Sequence, residues 1–319
     1  MRVILAALAM LIAASPAGAQ SADTFPDRTV RMVIPYPPGG GTDLIGRLIA
    51  QKLGEAWKQS VIVDNRSGAN GMVGAEAIAN AKPDGLTLGV VIAAHAINPS
   101  LYDKLPYRES AIAPVSLLAE YPFLVAIDPS LPAKDVTEFL ALARAKAGHM
   151  SYASSGNGSG PHLGVELLRL KTGLDMIHVP YRGAAPAQTA LMGGHVQLFF
   201  SNLLAASPQL RSGKIRVLAV TSPQRSPSLP EVPALAETIP GFAVTGWYGL
   251  VAPAGVPQPV LDRIHRSVVA VLADAELRQR LATDGALPIG STPEEFRTFL
   301  ARETATWAAV IKAAGVKPD

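Results

Sequence analysis

Three glycine-rich segments of this sequence have the composition of anion-binding sites built from backbone amides. They are Pro37–Asp43, Ser154–Pro161 and Pro180–Pro186, and each stands between an apolar run and a stretch with helical spacing. The first turn of a helix carries N–H groups without intrahelical partners and a partial positive charge, and glycine lets a ligand approach them closely. Glycine at one such turn is ordinary turn geometry, but three in one chain favour ligand binding.

These segments offer amides and hydroxyls rather than charges, since Arg182 is their only Lys or Arg. Asp43, near the start of a helix, would repel an anion if it faced one. We therefore expect Asp43 to accept hydrogen bonds from the first segment and to hold it open toward a ligand. The residues predicted to hold one carboxylate are Gly40, Gly41, Thr42, Ser155, Gly158 and Ser159.

Signals for catalysis are weak. The nucleophile pattern G-x-S-x-G, the phosphate-binding G-x-x-x-x-G-K-[ST] and the zinc motif H-E-x-x-H are all absent. His162 and Glu166, four residues apart, could share a helix face and bind a metal, but we expect His162 to bond loop backbone. An exported hydrolase using that pair, or an activated Ser155, stays open as an alternative. We predict no catalytic residue, metal site or cofactor.

Alternating strands and helices must position these segments. Apolar runs such as Val30–Ile34 and Leu86–Ala93 alternate with helical patterns, which predicts βαβ units and a parallel sheet. Two long extended segments, Pro114–Pro129 and Val244–Ala252, interrupt this order. We therefore expect an α/β protein of two lobes, with residues 20–121 plus 244–319 in the first and 122–243 in the second. The extended segments form a hinge, and the cleft between the lobes binds a small ligand.

The C-terminal residues predict two helical stretches. The first, about Pro257–Leu281, is broken near Asp274, and the second covers Pro293–Ala314. Ser291 followed by Glu294 indicates a capping box at the start of the second stretch.

Composition limits the classes of function. The first 19 residues have a basic start, an apolar core and an A-x-A-like end, which predicts a signal peptide cleaved after Ala19. A formal net charge of +3 favours neither nucleic-acid nor membrane-surface binding. The absence of cysteine excludes disulfides, zinc–thiolate sites and a cysteine nucleophile.

The chain resembles the Bug family, the periplasmic receptors of tripartite tricarboxylate transporters. The resemblance extends over essentially the whole mature chain. It rests on these stretches, in this order: "YPPGGGTDLIGRLIAQKL", "VIVDNRSGANGMVGAEAIANAKPDGLTL", "YASSGNGSGPHLGVELL", "HVPYRGAAPA", "GKIRVLAVT" and "WYGLVAPAGVP".

The resemblance implies a type II periplasmic-binding-protein fold with two crossing hinge strands, which closes on its ligand. It implies a periplasmic monomer that binds a di- or tricarboxylate, an acidic amino acid or an aromatic acid, and two integral membrane subunits as partners. The positions that carry over as ligand-binding are Gly40, Gly41, Thr42, Asp43, Ser155, Gly158, Ser159, His162, Tyr181, Arg182 and Gly183.

Two regions are expected to select the ligand. "FFSN" has Ser201 before Asn202, where many relatives carry Asp, and the "AAHAINPS" loop varies in the family. The residues predicted to contribute to specificity are His95, Ile97, Asn98, Ser201, Asn202 and Trp247. Neither region is diagnostic, so a non-carboxylate ligand in the same fold stays open as a third hypothesis.

Overall fold

The computed structural model describes residues 24–283 and 285–318, and it contains two β-sheets with helices packed against them. The predicted signal peptide lies outside the described residues. The strands are β1 Val30–Ile34, β2 Val61–Asn65, β3 Thr87–Val91, β4 Ile112–Pro122, β5 Leu124–Ile127, β6 Ser151–Ser154, β7 Ile177–Pro180, β8 Leu198–Ser201, β9 Arg216–Val220, β10 Thr245–Pro253 and β11 Leu287–Pro288.

Ten α-helices occur within the described residues. They are α1 Gly41–Trp57, α2 Met72–Ala79, α3 Ala94–Leu101, α4 Val136–Ala145, α5 Gly160–Thr172, α6 Ala184–Met192, α7 Leu203–Arg211, α8 Gln258–Leu272, α9 Ala275–Thr283 and α10 Pro293–Ala314. Short 3-10 turns cover Ala69–Gly71, Glu109–Ala111 and Leu235–Glu237.

The first sheet has the strand order β11-β4-β10-β3-β1-β2, and the second has β7-β6-β8-β5-β9. We call the parts of the chain that carry them the first and second lobes. The predicted parallel pairing is found at β1–β2, β1–β3, β6–β7 and β6–β8. Because the carboxyl ends of parallel strands meet at one sheet edge, the loops that follow β1, β6 and β7 are brought to such edges.

The chain crosses between the two sheets at Phe123 and Val244. The first predicted extended segment contains two strands, β4 in the first sheet and β5 in the second, and β10 returns beside β4. Thr221 joins the crossings: its hydroxyl donates to the Val244 carbonyl at 2.6 Å and accepts from the Phe123 N–H at 2.9 Å. Since Thr221 is fully buried, neither bond is exchanged with water. The two crossings thus form one hydrogen-bonded unit.

The C-terminal helices follow the prediction with one shift. The break near Asp274 is confirmed, because α8 ends at Leu272 and the Asp274 carboxylate accepts from the Leu277 N–H at the start of α9. The predicted capping box is wrong by one residue, since Thr292 and Glu295 form it. The Ser291 hydroxyl instead accepts from the Leu117 N–H of β4.

Three other elements differ from the prediction. The "AAHAINPS" segment is not a loop but helix α3, and Pro99 lies inside it. Helix α7 and the short edge strand β11 were not predicted, since α7 contains Pro208 and β11 has only two residues. Helix α10 packs on α3 and β4 of the first lobe and on α5 of the second, so the C-terminus contacts both lobes.

Candidate functional site

The first loop, Pro37–Asp43, ends in a helix start that no side chain caps. Gly39 has φ +85°, a conformation that favours glycine, and Gly40 is the N-cap of α1 without a side-chain hydrogen bond. The N–H groups of the first turn of α1, which include Gly41 and Thr42, therefore have neither an intrahelical partner nor a cap. This end of α1 is suited to an external hydrogen-bond acceptor.

Asp43 fixes the shape of the first loop from behind. Its Oδ2 accepts from the Gly39 N–H at 2.9 Å and from Arg47 Nε at 2.9 Å, and its Oδ1 accepts from Asn65 Nδ2 at 2.9 Å. The same Asn65 amide donates to the Tyr36 carbonyl at 3.0 Å. Asp43 is 2 % exposed, so its charge is directed into this network. The expectation that Asp43 accepts hydrogen bonds from the loop is confirmed.

The network also keeps the carboxylate ionised. Burial raises the pKa of Asp43, but hydrogen bonds from Arg47, Gly39 and Asn65 outweigh burial and lower the pKa below its ordinary value. The negative charge lies in the first turn of α1, where the helix dipole stabilises an anion. Arg47 compensates for it, so the first loop holds no uncompensated charge.

The second loop, Ser154–Pro161, is folded back in the same way by His162. The imidazole Nδ1 accepts from the Gly158 N–H at 3.1 Å, and the Ser159 hydroxyl caps α5 by accepting from the His162 N–H at 3.4 Å. The prediction that His162 bonds loop backbone is confirmed. The Gly158 amide is consequently engaged within the protein, whereas the Ser159 hydroxyl retains its proton for donation.

A stack of two histidine rings, one buried and one half-buried, supports this loop. The His162 and His178 rings are parallel with centroids 3.8 Å apart, and His178 Nε2 lies 2.7 Å from Ser154 Oγ. Burial, followed by the positive charge of Arg169, lowers the pKa of His162 to about 4. His162 is therefore neutral at pH 7 and can accept through Nδ1.

The Glu166 carboxylate accepts hydrogen bonds from Arg169 and Tyr152 rather than from the second loop. Arg169 Nη1 donates to both carboxylate oxygens, at 2.7 and 2.9 Å, and the Tyr152 hydroxyl also donates to Oε1. His162 Nε2 is 3.9 Å from the same oxygen. In the described part of the chain no group of three His, Cys, Asp or Glu side chains could hold a metal ion.

The third loop, Pro180–Pro186, lies beside the second because β6 and β7 are paired. Ser154 is in register with Pro180, and the Tyr181 N–H donates to the Ser154 carbonyl at 3.1 Å. Gly183 is the N-cap of α6, has φ +111° and makes no side-chain cap bond. Arg182 is exposed. The third loop thus adds a second uncapped helix start, and its Arg182 adds a positive charge on a long side chain at the edge of the second lobe.

A row of aromatic rings from the crossing strands connects the starts of α1 and α5. A Cβ placed on Gly41 would lie 2.9 Å from the Tyr248 hydroxyl oxygen. The Tyr248 ring is 5.1 Å from Tyr121, and the Tyr121 ring is 5.6 Å from Phe123. A Cβ on Gly160, the first residue of α5, would lie 3.2 Å from Phe123 Cζ. The two helix starts therefore border opposite ends of one row of three rings at the hinge.

The second loop also contacts the first lobe directly. A Cβ on Gly158 would collide with Leu101 Cδ2 and would lie 3.6 Å from Asn70 Nδ2. Gly158 has φ +67°, so both its backbone and its surroundings require glycine. In this structure Gly158 permits close approach between the lobes as well as a hydrogen bond to His162.

The residues predicted for specificity are placed in three different surroundings. Ile97 and Trp247 are fully buried in the core, and the Trp247 indole donates to Glu303 at 2.9 Å, so neither side chain is brought to the loops. Ser201 is also buried, and its hydroxyl donates to Gln188 Oε1 at 2.6 Å. Asn202 follows it and is half-buried.

His95 and Asn98 lie together at a small cavity of the first lobe. Asn98 Nδ2 donates to the Asn70 carbonyl at 3.0 Å, and Asn70 Nδ2 donates to Asn98 Oδ1 at 2.9 Å. His95 Nδ1 is buried and has no hydrogen-bond partner among the described residues. Tyr36 and Tyr107 line the same cavity.

Several residues of this region were not predicted as site residues from the sequence. They are Tyr36, Arg47, Asn65, Asn70, Tyr107 and Tyr121. Asn65 ends β2 and Asn70 follows it, so the rule that parallel strands end at one edge was a usable signal for both. The tyrosines are ordinary core residues by composition, and only their spatial neighbours distinguish them.

Comparison with known proteins places the chain in a family. A model described as the tripartite tricarboxylate transporter family receptor, TctC, matches residues 45–316. The chain belongs to this family. Its members are solute-binding receptors and not enzymes, so the hydrolase alternative is wrong. None of the helices in residues 24–283 and 285–318 combines the length and apolar composition that a membrane crossing requires.

Relatives of this receptor agree in sequence and in fold. Protein BugT of Bordetella pertussis is 35% identical over 319 residues, which covers 98% of each chain. The structure of Rpa4515 of R. palustris with adipate has a TM-score of 0.85 and 36% identity, covering 92% of this chain and 100% of that one. MatC of Rhodopseudomonas palustris with bound malate has a TM-score of 0.79 and 34% identity, covering 90% and 100%. The predicted two-lobed α/β fold is confirmed.

Proposed function

We propose that this receptor is exported to the periplasm, captures a small carboxylate between its lobes and delivers it to the membrane subunits of a tripartite tricarboxylate-type transporter. The ligand carboxylate is held by the amides at the start of α1, the Ser155 and Ser159 hydroxyls, and the Gly183 end of the third loop. Of the binding residues predicted from the sequence, Asp43, Gly158 and His162 shape the loops, and the others remain candidates for direct contact with the ligand. Tyr248 is added to them because it borders the start of α1, and Tyr121 because its ring lies next to that of Tyr248.

The observation that carries this proposal is the position of two helix starts at opposite ends of one row of rings. Helix N-termini favour anions through their dipole and their unpaired N–H groups. The start of α1 is uncapped, and Asp43 is turned away from it toward Gly39, Arg47 and Asn65. An anion at this place meets oriented donors without competition from the Asp43 carboxylate.

Magnitudes are consistent with capture and release. A hydrogen bond to a charged group contributes about 1.5–3 kcal/mol. Micromolar binding requires about 8 kcal/mol net. Three to five such bonds are sufficient if the lobes exclude water, and their loss on opening releases the ligand without breaking a strong ion pair.

The relatives support an acid as the ligand. Rpa4515 is described with adipate and MatC with malate, and both resemble this chain along more than nine-tenths of their own length. Adipate and malate share carboxylate groups and differ in length and in substitution. We infer that the shared cradle recognises the carboxylate, whereas other residues select the remainder of the ligand.

A thermal-shift screen of matched ligands tests the proposal. Free acids are compared with their amides and methyl esters, and we expect only the acids to raise the melting temperature. Gly41→Ala places a methyl group against the Tyr248 hydroxyl and is expected to weaken binding, whereas Gly41→Ala combined with Tyr248→Phe removes that oxygen and restores part of the affinity. Equal or stronger binding of amides or esters contradicts a carboxylate ligand.

Export and delivery need separate measurements. N-terminal sequencing of protein from the periplasmic fraction is expected to begin at Gln20, and light scattering is expected to give a monomer. Delivery predicts that the ligand-loaded receptor binds detergent-solubilised membrane subunits more tightly than the ligand-free receptor. Equal binding of the two states argues against delivery but leaves carboxylate capture intact.

A further inference from the structure

A small polar cavity in the first lobe lies directly behind the region where the second loop meets that lobe. We call it the His95 cavity and define it by its polar lining, which is Tyr36, Asn70, His95, Asn98 and Tyr107. Asn70 forms the wall next to the second loop, because its Nδ2 lies 3.6 Å from the position of a Cβ on Gly158. Tyr36 directly precedes the first loop. The cavity thus adjoins both loops proposed to hold the carboxylate.

The cavity has room for one small group. The space available to the centre of a water-sized group is about 10 Å³. A single water needs about this much, so a carboxylate or an ammonium on a methylene does not fit without displacing side chains. The size therefore limits an occupant to a water molecule or one hydroxyl.

The lining is polar but carries no charged residue type. Its other members are Pro35, Gly71, Ala75 and Val91, so no Lys, Arg, Asp or Glu contributes. Burial raises the pKa of Tyr36, and burial with the charge of Glu109 raises the pKa of Tyr107 to about 12, so both hydroxyls keep their protons. Burial lowers the pKa of His95 to about 4, so its ring is neutral. Such a lining favours a neutral donor or acceptor over an ion.

One atom of the lining lacks a partner. His95 Nδ1 is shielded from solvent without a hydrogen bond among the described residues, whereas Asn70 and Asn98 bond each other. A buried polar atom left unpaired is destabilising, because it has given up its hydrogen bond to water. The Tyr36 hydroxyl is next to Gly71, another residue of the lining, since a Cβ on Gly71 would be 2.9 Å from it. The protein therefore maintains a small, neutral cavity, and one of the side chains that line it, His95, carries an unsatisfied nitrogen.

We propose that the His95 cavity is a subsite for a single hydroxyl group of the ligand, so that this receptor selects hydroxy-carboxylates over the corresponding unsubstituted acids. A hydroxyl both donates and accepts, and so it pairs with either tautomer of His95 and with the tyrosine hydroxyls. This inference rests on the proposed carboxylate function and specifies the class of acid.

Paired ligands test the subsite. Isothermal titration calorimetry compares propionate with lactate, succinate with malate, glutarate with 2-hydroxyglutarate, and benzoate with 4-hydroxybenzoate. We expect at least one hydroxylated member to bind about tenfold more tightly than its partner. His95→Phe keeps a ring of similar size without the nitrogen, and it is expected to remove this preference while leaving the affinity for the unsubstituted acid within about twofold.

Controls separate the possible results. His149→Phe changes an exposed histidine of the second lobe and is expected to keep the preference. If circular dichroism shows that His95→Phe does not fold, Tyr107→Phe is used instead. This variant lacks the Tyr107 hydroxyl and is expected to reduce the preference for the hydroxylated acid. Acids that bind without any hydroxyl preference, or a preference that survives in His95→Phe, overturn the subsite alone. If none of the acids binds, the proposed function is contradicted, and so is the subsite, which depends on it.

Discussion

The first and second loops are held by the same pattern of hydrogen bonds, but the side chain that accepts the bond is charged in the first loop and neutral in the second. In each, a side chain in the first turn of the helix accepts a hydrogen bond from a glycine N–H four residues earlier: Asp43 from Gly39 and His162 from Gly158. Asp43 is a buried anion neutralised by Arg47, whereas His162 is a buried neutral ring stacked on His178. The comparison shows that the shape of a loop and its charge are set separately.

The two helix starts also differ in their caps. Gly40 leaves the first turn of α1 open, whereas Ser159 caps α5 through its hydroxyl. The first loop is thus prepared for an external acceptor, and the second loop is largely satisfied within the protein and contacts Leu101 of the opposite lobe. We infer that the first loop supplies most of the anion binding and that the second loop supplies closure.

The largest expected effect concerns closure at the second loop. Gly158→Ala places a methyl group against Leu101 of the opposite lobe, and we expect ligand affinity to fall about 100-fold, because overpacking of this kind costs about 1–3 kcal/mol and opposes closure. The backbone strain at φ +67° is present whether the lobes are open or closed, and so it is expected to lower stability rather than affinity. Gly173→Ala is the matched control, because Gly173 has φ +69° and no atom within 4 Å of a Cβ. Calorimetric titration measures both. Equal losses in the two variants would show that strain, rather than contact between the lobes, controls binding.

The next effect compares the two acceptor side chains. Asp43→Ala removes the acceptor of three hydrogen bonds, which come from Gly39, Arg47 and Asn65. We expect the free energy of unfolding to fall by about 3 kcal/mol. His162→Phe removes one neutral acceptor and is expected to cost about 1 kcal/mol. Urea unfolding at pH 7 measures the difference, with Asp43→Asn as the conservative control. A loss at His162 equal to that at Asp43 would contradict the importance of charge in the first loop.

The pH dependence of stability should separate the same two residues. The folded pKa of His162 is lowered from 6.5 to about 4, so the unfolded chain binds more protons between these values and stability falls as the pH drops from about 6.5 to 4. The pKa of Asp43 is also lowered, so its contribution is complete above the ordinary aspartate pKa and is lost only as the pH falls through the lowered folded value.

We therefore expect His162→Gln to reduce the slope of the stability profile between pH 6.5 and about 4 without removing it, because burial also lowers the pKa of His95 to about 4. Asp43→Asn is expected to change only the more acidic part. Urea unfolding at half-unit pH steps provides the profile. His149→Gln, at an exposed position, is the control and is expected to leave the profile unchanged. A flattened profile above pH 6.5 in either variant would contradict these assignments.

The smallest effect concerns the caps. Gly40→Ser supplies a capping hydroxyl and is expected to stabilise α1 by a few tenths of a kcal/mol while weakening ligand binding, because the hydroxyl occupies an amide that the ligand uses. Ser159→Gly removes the existing cap together with a hydroxyl proposed to donate to the ligand, so it is expected to destabilise α5 by a similar amount and also to weaken binding. Melting temperature and titration are measured for each variant. Tighter binding in Gly40→Ser would contradict the role of the open amides.

The sequence by itself determined the local features. Glycines at the helix starts, the hydrogen bonds that turn Asp43 and His162 back toward their loops, the break at Asp274 and the crossing segments all follow from residue types within a few positions of each other. Local hydrogen bonds and periodicity decide such features, so they are visible along the chain. The helix α3 was missed because the eight-residue "AHAINPSL" contains a proline and has no capping residue before it.

Only the tertiary structure decided which distant side chains meet. Asn65 reaches Asp43 because β2 lies beside β1, Tyr248 reaches Gly41 from a strand some two hundred residues away in sequence, and Trp247, its neighbour, points into the core instead. Alternate residues of a strand face opposite sides, so one position of register separates a residue at the site from a residue of the core. The His95 cavity is likewise a property of packing, since its lining comes from four separate segments.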